Sequence, residues 1–312
     1  MSDVGAGSAA DASTAFLDRL LKAGVLIPMG ADGVYGRGAV FEHILEGLDA
    51  LATRAGAGDG AERVRFPPVM VRRHFEHSGY MKGFPQLAGT IHCFCGDERA
   101  HRALLRCMEA GEDWTTGQAA SDVVLTPAAC YEVYPMLAAR GGLPQAGALV
   151  DVMSWCFRHE PSTEPTRMQL FRMREYVRVG TPAQVEAFRM DWMQRAVALI
   201  ESLGLPHTIE VANDPFFGRP GKLQADIQRS QQLKFELLVP VNDGAEPTAC
   251  LSFNDHQNHF GALWGVATPD GAVAHSGCVA FGLERLTLAL LRRHGLDPAT
   301  WPTPVRGVLW RP

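Results

Sequence analysis

The segment FRMREYVRVGTP, residues 171–182, constrains the fold more than any other part of this sequence, because it mixes strand-forming residues with charges. Its aromatic and β-branched side chains favour a β-strand. Its charged side chains are Arg172, Arg174, Glu175 and Arg178. A strand normally buries one face through a regular alternation of apolar and polar residues. We therefore expect this strand to belong to a sheet whose charged side chains bind a partner.

The composition is that of a soluble globular protein with no strong attraction to nucleic acid. The chain has 312 residues, enough for one large domain or two ordinary ones, and 46% of them are hydrophobic and 20% charged. The net charge of −5 provides no positive field that would attract DNA or tRNA. No apolar run approaches the ~20 residues that a transmembrane helix needs. No membrane contact is therefore expected.

The N-terminus and the cysteines indicate the compartment. MSDVGAGSAADAS, residues 1–13, has neither the basic start nor the apolar stretch of a signal peptide, so we expect a disordered leader. The seven cysteines are an odd number and lack the spacing of a small disulfide scaffold. A reducing, cytoplasmic location is the prediction that follows.

Hydrophobic periodicity predicts alternating blocks of helices and strands. The expected helices cover residues 14–23, 36–55, 97–110, 128–139, 183–203 and 278–295, with a partly helical polar segment at 218–234. The expected strands cover residues 64–71, 122–127, 147–157, 167–179, 207–212, 235–241 and 248–253. Strand blocks separated by one long helix are typical of an α+β fold with a largely antiparallel sheet flanked by helices.

Several common catalytic motifs are absent from the sequence. It contains no phosphate-binding loop of the form GxxxxGK[ST], no HExxH zinc motif and no GxSxG motif. Three segments carry chemistry instead: residues 157–171, 245–257 and 276–286. In the first of these, Arg158 and Glu160 are two residues apart and would lie on the same face of a strand. They could form an ion pair on a solvated face, or they could bind a ligand.

These segments resemble the three motifs of the class II aminoacyl-tRNA synthetases, and most closely those of the seryl enzymes. GVYGRGAVFEHILEGLDAL followed by FPPVM is similar to the first motif, a dimer-interface helix and a strand with prolines. FRHE with MQLFRMREYVRVGTP is similar to the second, and SGCVAFGLERL to the third. Each match alone is weak, but three in this order, over roughly residues 30–295, are specific. The resemblance implies the fold of these synthetases and a homodimer.

The resemblance also implies an ATP site. Arg158 would hold the α-phosphate, Glu160 the adenine amino group and Arg285 the γ-phosphate, while Phe171 would stack on the base. Glu246 would bind the magnesium ion that accompanies ATP. Bidentate, permanently charged arginines and a hard Mg²⁺ ion suit chemistry on phosphate groups. Further ATP contacts are expected from Arg167, Met168, Ala249, Cys250, Leu251 and Ser252.

A zinc site is implied by a further similarity, to the unusual archaeal seryl enzymes. Cys130, Glu175 and Cys278 stand where those enzymes bind zinc with two cysteines and a glutamate. Three protein ligands would leave a fourth position open, which the amino group of a substrate amino acid could fill. From the residues alone, a buried cysteine is more often a small apolar side chain. The resemblance favours zinc, which would be the partner of Glu175, with the nearby arginines facing phosphates or solvent.

A seryl-type catalytic domain with this zinc triad and no arm for tRNA resembles a small bacterial family, the amino acid:[carrier protein] ligases. We therefore expect residues 14–312 to form one catalytic domain that binds no tRNA. The implied reaction is ATP-dependent activation of a small amino acid, glycine before alanine and serine, and its transfer to the phosphopantetheine thiol of a carrier protein. A basic segment would contact an acidic carrier protein. Its expected contacts are Arg219, Lys222, Arg229 and Lys234.

Two other functions stay open at this point. One is a truncated seryl-type enzyme that charges tRNA, which the net charge disfavours. The other is a non-catalytic paralogue that binds an amino acid, which the complete set of ATP residues disfavours. His256 and His259 could be metal ligands, but a hydrogen-bonded loop near the active site is favoured. Cys93 and Cys95 are expected to be core or loop thiols, because no second pair completes a zinc knuckle.

Overall fold

The structure, a computed structural model, describes residues 4–241 and 246–311. Its α-helices are α1 (Val4–Lys22), α2 (Ala39–Ala55), α3 (Arg72–His77), α4 (Tyr80–Gly83), α5 (Glu98–Glu109), α6 (Val133–Ala139), α7 (Pro182–Ser202), α8 (Gly218–Ser230), α9 (His259–Trp264), α10 (Leu283–His294) and α11 (Thr303–Leu309). Its strands are β1 (Leu26–Ala31), β2 (Val34–Arg37), β3 (Glu62–Arg65), β4 (Val69–Val71), β5 (Thr90–Phe94), β6 (Gln118–Leu125), β7 (Ala148–Phe157), β8 (Leu170–Gly180), β9 (Thr208–Val211), β10 (Lys234–Val239), β11 (Thr248–Gln257) and β12 (His275–Gly282). None of the helices in this described part has the length and apolar character needed to cross a membrane.

A seven-stranded sheet, in the order β3-β7-β8-β12-β11-β10-β9, organises the described residues. β3 and β7 run parallel, and the other neighbouring strands of this sheet run antiparallel. β4, β6 and β5 form a smaller antiparallel sheet, and β1 and β2 form a two-stranded one. The expected α+β fold with a largely antiparallel sheet is confirmed.

One side of the large sheet, the back face, packs against α2, α7 and α10. α2 has the predicted amphipathic pattern, with Phe41, Ile44 and Leu48 buried along one side. Trp192 of α7 stacks on Tyr176 of β8, with ring centroids 4.6 Å apart. Full burial of each such side chain stabilises the fold by roughly 1.5–3 kcal/mol. The helices behind the sheet therefore bury much of their apolar surface against it.

The opposite side, the front face, is covered by α6 and by α9, which packs against α6, β11 and β12. Val150 of β7 and Val177 of β8 pack in one apolar cluster with Val133 of α6 and Phe260 of α9. The strand register arranges front-face side chains in rows across the sheet. One row joins Val177, Cys278, Asn254 and Lys234, and the next joins Val152, Glu175, Ala280, Ser252 and Glu236. Because directly opposed residues have Cβ atoms ~4.5–5.5 Å apart, these rows bring polar side chains of four strands together.

The segment 278–295 differs from its prediction. It was expected to form one helix, but strand β12 continues to Gly282 and helix α10 begins only at Leu283. Residues 278–281 are buried in the middle of the sheet, between β8 and β11. Periodicity cannot distinguish a short, fully buried strand from a buried helix. Strand β12 thereby places Cys278 on the sheet, next to the strand that carries Glu175.

The N-terminal segment also differs from its prediction. A disordered leader was expected over residues 1–13, but α1 already begins at Val4. The segment is rich in alanine, which has the highest helix propensity of all residues. The expectation therefore disagrees with the structure from residue 4 onward, and residues 1–3 lie outside the described part.

Candidate functional site

Cys130, Glu175 and Cys278, here called the acidic triad, meet on the front face. Cys130 precedes α6, Glu175 lies in β8 and Cys278 in the neighbouring strand β12. All three are buried. The backbone N–H of Cys130 donates a hydrogen bond to Glu175 Oε1 at 3.1 Å, and the three side chains are within hydrogen-bonding reach of one another. The fold thus brings together three residues that are far apart in the sequence.

The acidic triad has no countercharge bonded to it. Glu175 forms no ion pair within the part of the chain that the structure describes. Burial raises the pKa of its carboxyl group, and hydrogen bonds from Cys278 and Cys130 offset only part of this effect. The hydrogen bond to Cys278, together with burial, raises the pKa of the Cys130 thiol well above its ordinary value. The hydrogen bond from Cys130 lowers the pKa of Cys278, but burial and Glu175 outweigh it and the net shift is upward.

Two thiols and a carboxylate are a donor set suited to zinc. The described residues contain no ready-made group of three or more histidine, cysteine, aspartate or glutamate side chains arranged around a metal position. The three side chains of the acidic triad lie close to one another, and burial favours their uncharged forms. A divalent cation would replace these protons and supply the missing positive charge. The donor chemistry therefore fits zinc, although the ligands are not arranged for it in advance.

Two residues of β11 surround the Cys278 sulfur. Asn254 Nδ2 donates to this Sγ at 3.3 Å and to Ser252 Oγ at 3.1 Å. His256 Nε2 lies 3.8 Å from the same Sγ. Burial lowers the pKa of His256 to about 4, so the imidazole is neutral at neutral pH. His256 was predicted to lie in a hydrogen-bonded loop near the active site, but it lies in strand β11. No role was predicted for Asn254. The alternation of Ser252, Asn254 and His256 along one face of a strand was the available signal.

Arg158 and Phe171, both predicted to bind ATP, lie together where β7 and β8 are connected. The Arg158 guanidinium lies over the Phe171 ring, 5.5 Å from its centroid, which is a cation–π distance. Arg158 Nε donates to the carbonyl oxygen of Pro127 at 3.3 Å. Burial raises the pKa of the Glu175 carboxyl, and the charge of Arg158 is one of the smaller effects that oppose this rise. This cation therefore lies close to the acidic triad.

Arg285, in the first turn of α10, is held by backbone carbonyl groups. Its Nε donates to the oxygen of Thr166 at 3.0 Å, and its Nη1 donates to the oxygen of Ala249 at 2.9 Å. Burial lowers the pKa of Arg285, and the nearby Arg158 adds to this effect. Among the described residues neither arginine forms an ion pair. Two neighbouring guanidinium groups without carboxylate partners favour an anionic ligand between them.

The other residues predicted to contact ATP differ in where their side chains lie. Glu160 and Arg167 form a long ion pair of 3.9 Å, in which the Arg167 side chain is 59% exposed. The side chains of Met168, Cys250 and Leu251 are buried in the core. These three residues expose almost none of their surface, so their predicted contacts with ATP stay a prediction.

Ser252 and Glu246 occupy different parts of the site region. Ser252 lies on the front face, in the same row as Glu175. Glu246 is exposed and follows residues 242–245, which lie outside the described part. The magnesium role of Glu246 stays a prediction.

The predicted carrier-protein contacts do not share one surface. Those exposed on α8 are Arg219, Lys222 and Arg229. Lys234 is buried at the start of β10, where its Nζ pairs with Asp214 at 2.6 Å and with Glu236 at 2.9 Å. Burial and two carboxylate partners keep Lys234 away from a docking protein. This part of the prediction is wrong, and the candidate surface consists of α8 alone.

The arginines of β8 have protein partners on the back face. Arg174 is fully buried and donates to both carboxylate oxygens of Asp151, at 3.0 and 2.7 Å, and to Asp49 Oδ1 at 2.8 Å. The carboxylates that pair with Arg172 are Glu42 and Glu284. The expectation that the arginines near Glu175 face phosphates or solvent is wrong for these two. Neighbouring elements supply carboxylates that bind them.

No family model matches this chain. A curated protein does: the chain is 51% identical over 281 residues to amino acid–[acyl-carrier-protein] ligase 1 of Bradyrhizobium diazoefficiens, with 90% of this chain and 86% of the relative covered. The chain belongs to this ligase family. The family resemblance that the sequence motifs indicated is therefore confirmed.

More distant relatives of this ligase-family member are seryl enzymes. It is 31% identical over 191 residues to the type-2 serine–tRNA ligase of Methanococcus aeolicus, which covers 59% of this chain and 36% of that protein. Among solved structures, M. kandleri SerRS in complex with A. aeolicus tRNASec has a TM-score of 0.79 at 20% identity, over 94% of this chain and 60% of that chain. The fold is that of class II aminoacyl-tRNA synthetases, as the motifs predicted.

Proposed function

We propose that this ligase-family member activates a small amino acid with ATP and transfers it to the phosphopantetheine thiol of a carrier protein. The name of its Bradyrhizobium relative, an amino acid–[acyl-carrier-protein] ligase, supports the proposal. The observation that carries it is the meeting of Arg158 and Phe171 with the acidic triad on one face of the sheet. A nucleotide at the first pair and an amino acid at the triad would have their reacting groups side by side.

The first step joins the amino acid to the α-phosphate of ATP. A carboxylate oxygen of the amino acid attacks the α-phosphorus, the bond from phosphorus to the bridging oxygen breaks, and pyrophosphate leaves. Arg158 would hold the α-phosphate and Arg285 the γ-phosphate, while Glu160 would accept a hydrogen bond from the adenine amino group and Phe171 would stack on the base. Such a reaction depends mainly on positioning and electrostatic stabilisation. Glu246 and the phosphates would together hold Mg²⁺.

The acidic triad would hold zinc and orient the amino end of the substrate. Zinc, when bound there, supplies a Lewis acid with an open fourth position for an amino group. Cys130, Glu175 and Cys278 would fix that position relative to Arg158. We propose glycine as the substrate, with alanine second and serine third. An extra methylene changes the binding free energy by only ~1–3 kcal/mol. Larger amino acids would therefore have to be rejected by steric clashes with the pocket.

The second step forms a thioester. The phosphopantetheine sulfur attacks the carbonyl carbon of the aminoacyl adenylate, the bond from that carbon to the AMP oxygen breaks, and the thiol proton is released. The protein needs no nucleophile of its own, because the substrates supply both attacking groups. Its residues bind the reactants and stabilise the charge that develops on phosphate.

Helix α8 is the proposed contact surface for an acidic carrier protein. Its exposed basic residues are Arg219, Lys222 and Arg229. Apolar side chains beside them are exposed as well: Phe217 by 58%, Leu223 by 63% and Ile227 by 44%. Exposed apolar groups rimmed by charges are typical of a binding surface. We further propose a homodimer with α2 at its interface, and a reaction in which tRNA takes no part.

Amino-acid-dependent exchange between pyrophosphate and ATP tests the first step. The protein, supplied with zinc and magnesium, is assayed with each of the twenty amino acids. We expect exchange with glycine or another small amino acid only. Transfer is then followed as a mass increase on a phosphopantetheinylated carrier protein, with the unmodified carrier protein as the control. Silence with all twenty amino acids would contradict the proposal, and charging of tRNA in place of the carrier protein would favour a truncated tRNA ligase.

A further inference from the structure

His256 is the one imidazole placed directly against the acidic triad in the described residues. It lies near the end of β11, and its ring stands edge-on to Phe260 with centroids 5.0 Å apart. Its Nε2 faces Cys278 Sγ at 3.8 Å. Neither the proposed zinc site nor the proposed ATP site uses this side chain. Its placement against a proposed ligand sulfur therefore needs a separate explanation.

The other ring nitrogen of His256 faces two hydroxyl groups. Nδ1 lies 3.2 Å from Ser276 Oγ and 3.3 Å from the hydroxyl of Tyr134. Either hydroxyl can donate a hydrogen bond to Nδ1. When one does, the proton of the neutral imidazole resides on Nε2 and points toward the sulfur. Ser276 is fully buried in β12 and Tyr134 in α6, so the ring is clamped between two elements that also border the triad.

We propose that His256 is a positioning residue for Cys278: its Nε2–H donates to the sulfur and fixes the direction in which that sulfur meets the metal. This inference rests on the zinc site proposed above. Asn254 donates to the same sulfur from the side, so two donors would hold it. Hydrogen bonds to ligand atoms from residues that do not touch the metal orient those atoms, and their loss typically weakens metal binding by about 10- to 100-fold.

The two cysteines of the triad would then play unequal parts. Cys278 is fixed by β11 through Asn254 and His256, whereas the backbone N–H of Cys130 is bonded to Glu175. Cys278 would be the ligand with a set direction. Cys130 precedes α6, and its sulfur would adjust to the metal. A substitution at His256 should therefore disturb the bond from Cys278 without removing a ligand.

Metal binding by the whole protein tests the inference with His256→Leu and His256→Gln. Zinc affinity is measured by competition with a chromophoric chelator, and the cobalt(II)-loaded protein is examined for its near-ultraviolet thiolate-to-cobalt band. We expect His256→Leu to bind zinc about 10- to 100-fold more weakly and to shift the cobalt band. His256→Gln should recover much of the affinity, because its amide nitrogen can take the place of Nε2. His259→Gln, on the exposed first residue of α9, is the matched control and should change neither.

The outcomes separate this inference from the function on which it rests. If His256→Leu binds zinc as the parent does, with an unchanged cobalt band, the positioning role is refuted while the zinc site stands. If the parent protein binds neither metal, the zinc site itself fails and the inference fails with it. Should His256→Leu not fold, Tyr134→Phe combined with Ser276→Ala removes both hydroxyls at Nδ1. That variant should lose zinc affinity to a smaller degree, and an unchanged affinity would overturn the proposal.

Discussion

The arginines on the two sides of the large sheet differ in their partners. Arg174, on the back face, is fully buried and paired with the carboxylates of Asp151 and Asp49. Arg158 and Arg285, near the acidic triad, donate to backbone carbonyl groups. In the part of the chain that is described, neither of them forms an ion pair. Their positions are fixed, but their charges are not neutralised.

This difference separates charges that hold the fold together from charges that are available to a ligand. Two carboxylates neutralise the charge of a buried arginine. Removing one member of such a group is strongly destabilising, because it leaves a buried charge without a partner. An arginine bonded only to carbonyl oxygens can still bind an anion with its remaining donors. The acidic triad differs again, because Glu175 forms no ion pair among the described residues although Arg158 lies close to it. The charges of the back face are thus paired within the protein, whereas the proposed function assigns an anionic and a cationic ligand to the front face.

The largest expected effect follows from removing an unpaired arginine. Arg158→Ala should lower the rate of amino-acid-dependent ATP–pyrophosphate exchange by about 100- to 1000-fold, the usual loss when a stabilising donor is removed. The unfolding free energy should change little, because no buried carboxylate would lose its partner when Arg158 is removed. Exchange assays and urea unfolding measure the two quantities. A variant that unfolds easily but keeps its rate would place Arg158 with the structural arginines.

The second prediction concerns a paired arginine. Arg174→Met should lower the free energy of unfolding by about 3 kcal/mol, because it leaves the buried Asp151 without its main partner. The expected loss is at the lower end of the usual range, because Arg63 and Arg65 remain 3.4 Å from that carboxylate. Urea unfolding measures the loss.

The neighbouring residue on the same strand provides the matched comparison for Arg174. Glu175→Gln, in zinc-free protein, should change the unfolding free energy by less than about 1 kcal/mol, because burial already disfavours the charged carboxylate. Equal losses in Arg174→Met and Glu175→Gln would mean that the two faces do not differ as described.

Much of this division could be predicted from the sequence, but not all of it. Residues 171–179 carry a strand pattern, and the motifs around Arg158 and Arg285 indicated an anion site. The partners of Arg174 could not be predicted, because Asp49 lies on α2 and Asp151 on β7. Which face of a strand meets which helix depends on tertiary packing that a local pattern does not contain.

The surroundings of Cys278 show a second limit of sequence reasoning. Its strand was predicted as part of a helix, because a buried apolar run has no clear period. Asn254 lies beside it, and Lys234 beside Asn254, only through the register of three strands. A shift of one residue in that register would turn each of these side chains to the other face. The basic charge of Lys234 suggested a surface contact. The strand register buries this side chain beside the carboxylates of Asp214 and Glu236 instead.

The third prediction concerns the zinc ion proposed to bind at the acidic triad. Zinc at 100 times its dissociation constant should stabilise the parent protein by about 2.7 kcal/mol, and Cys278→Ala should abolish this increment. Unfolding is measured with zinc and with a chelator. Cys156→Ala is the control, since Cys156 is a buried front-face cysteine outside the acidic triad. A zinc-dependent increment that survives Cys278→Ala would show that the ion binds elsewhere.

The smallest expected effect concerns the exposed charges of α8. Combined Arg219→Glu and Lys222→Glu should slow transfer to an acidic carrier protein by about five-fold, because the two reversed charges would no longer attract it. ATP–pyrophosphate exchange should be unchanged, because α8 would contact the acceptor and neither substrate of the first step. The effect should shrink at high salt, since exposed charges are screened. Transfer rates at two salt concentrations, with exchange rates in parallel, provide the measurement.

Other exposed arginines provide the control for α8. Arg99→Glu with Arg106→Glu makes a comparable change of charge on α5, where both side chains are exposed. If both double variants slowed transfer equally, the overall charge of the protein would attract the carrier protein and α8 would have no special part. If neither did, the apolar residues Leu223 and Ile227 would be tested next. A surface that binds through them should lose affinity on their replacement by serine and respond little to salt.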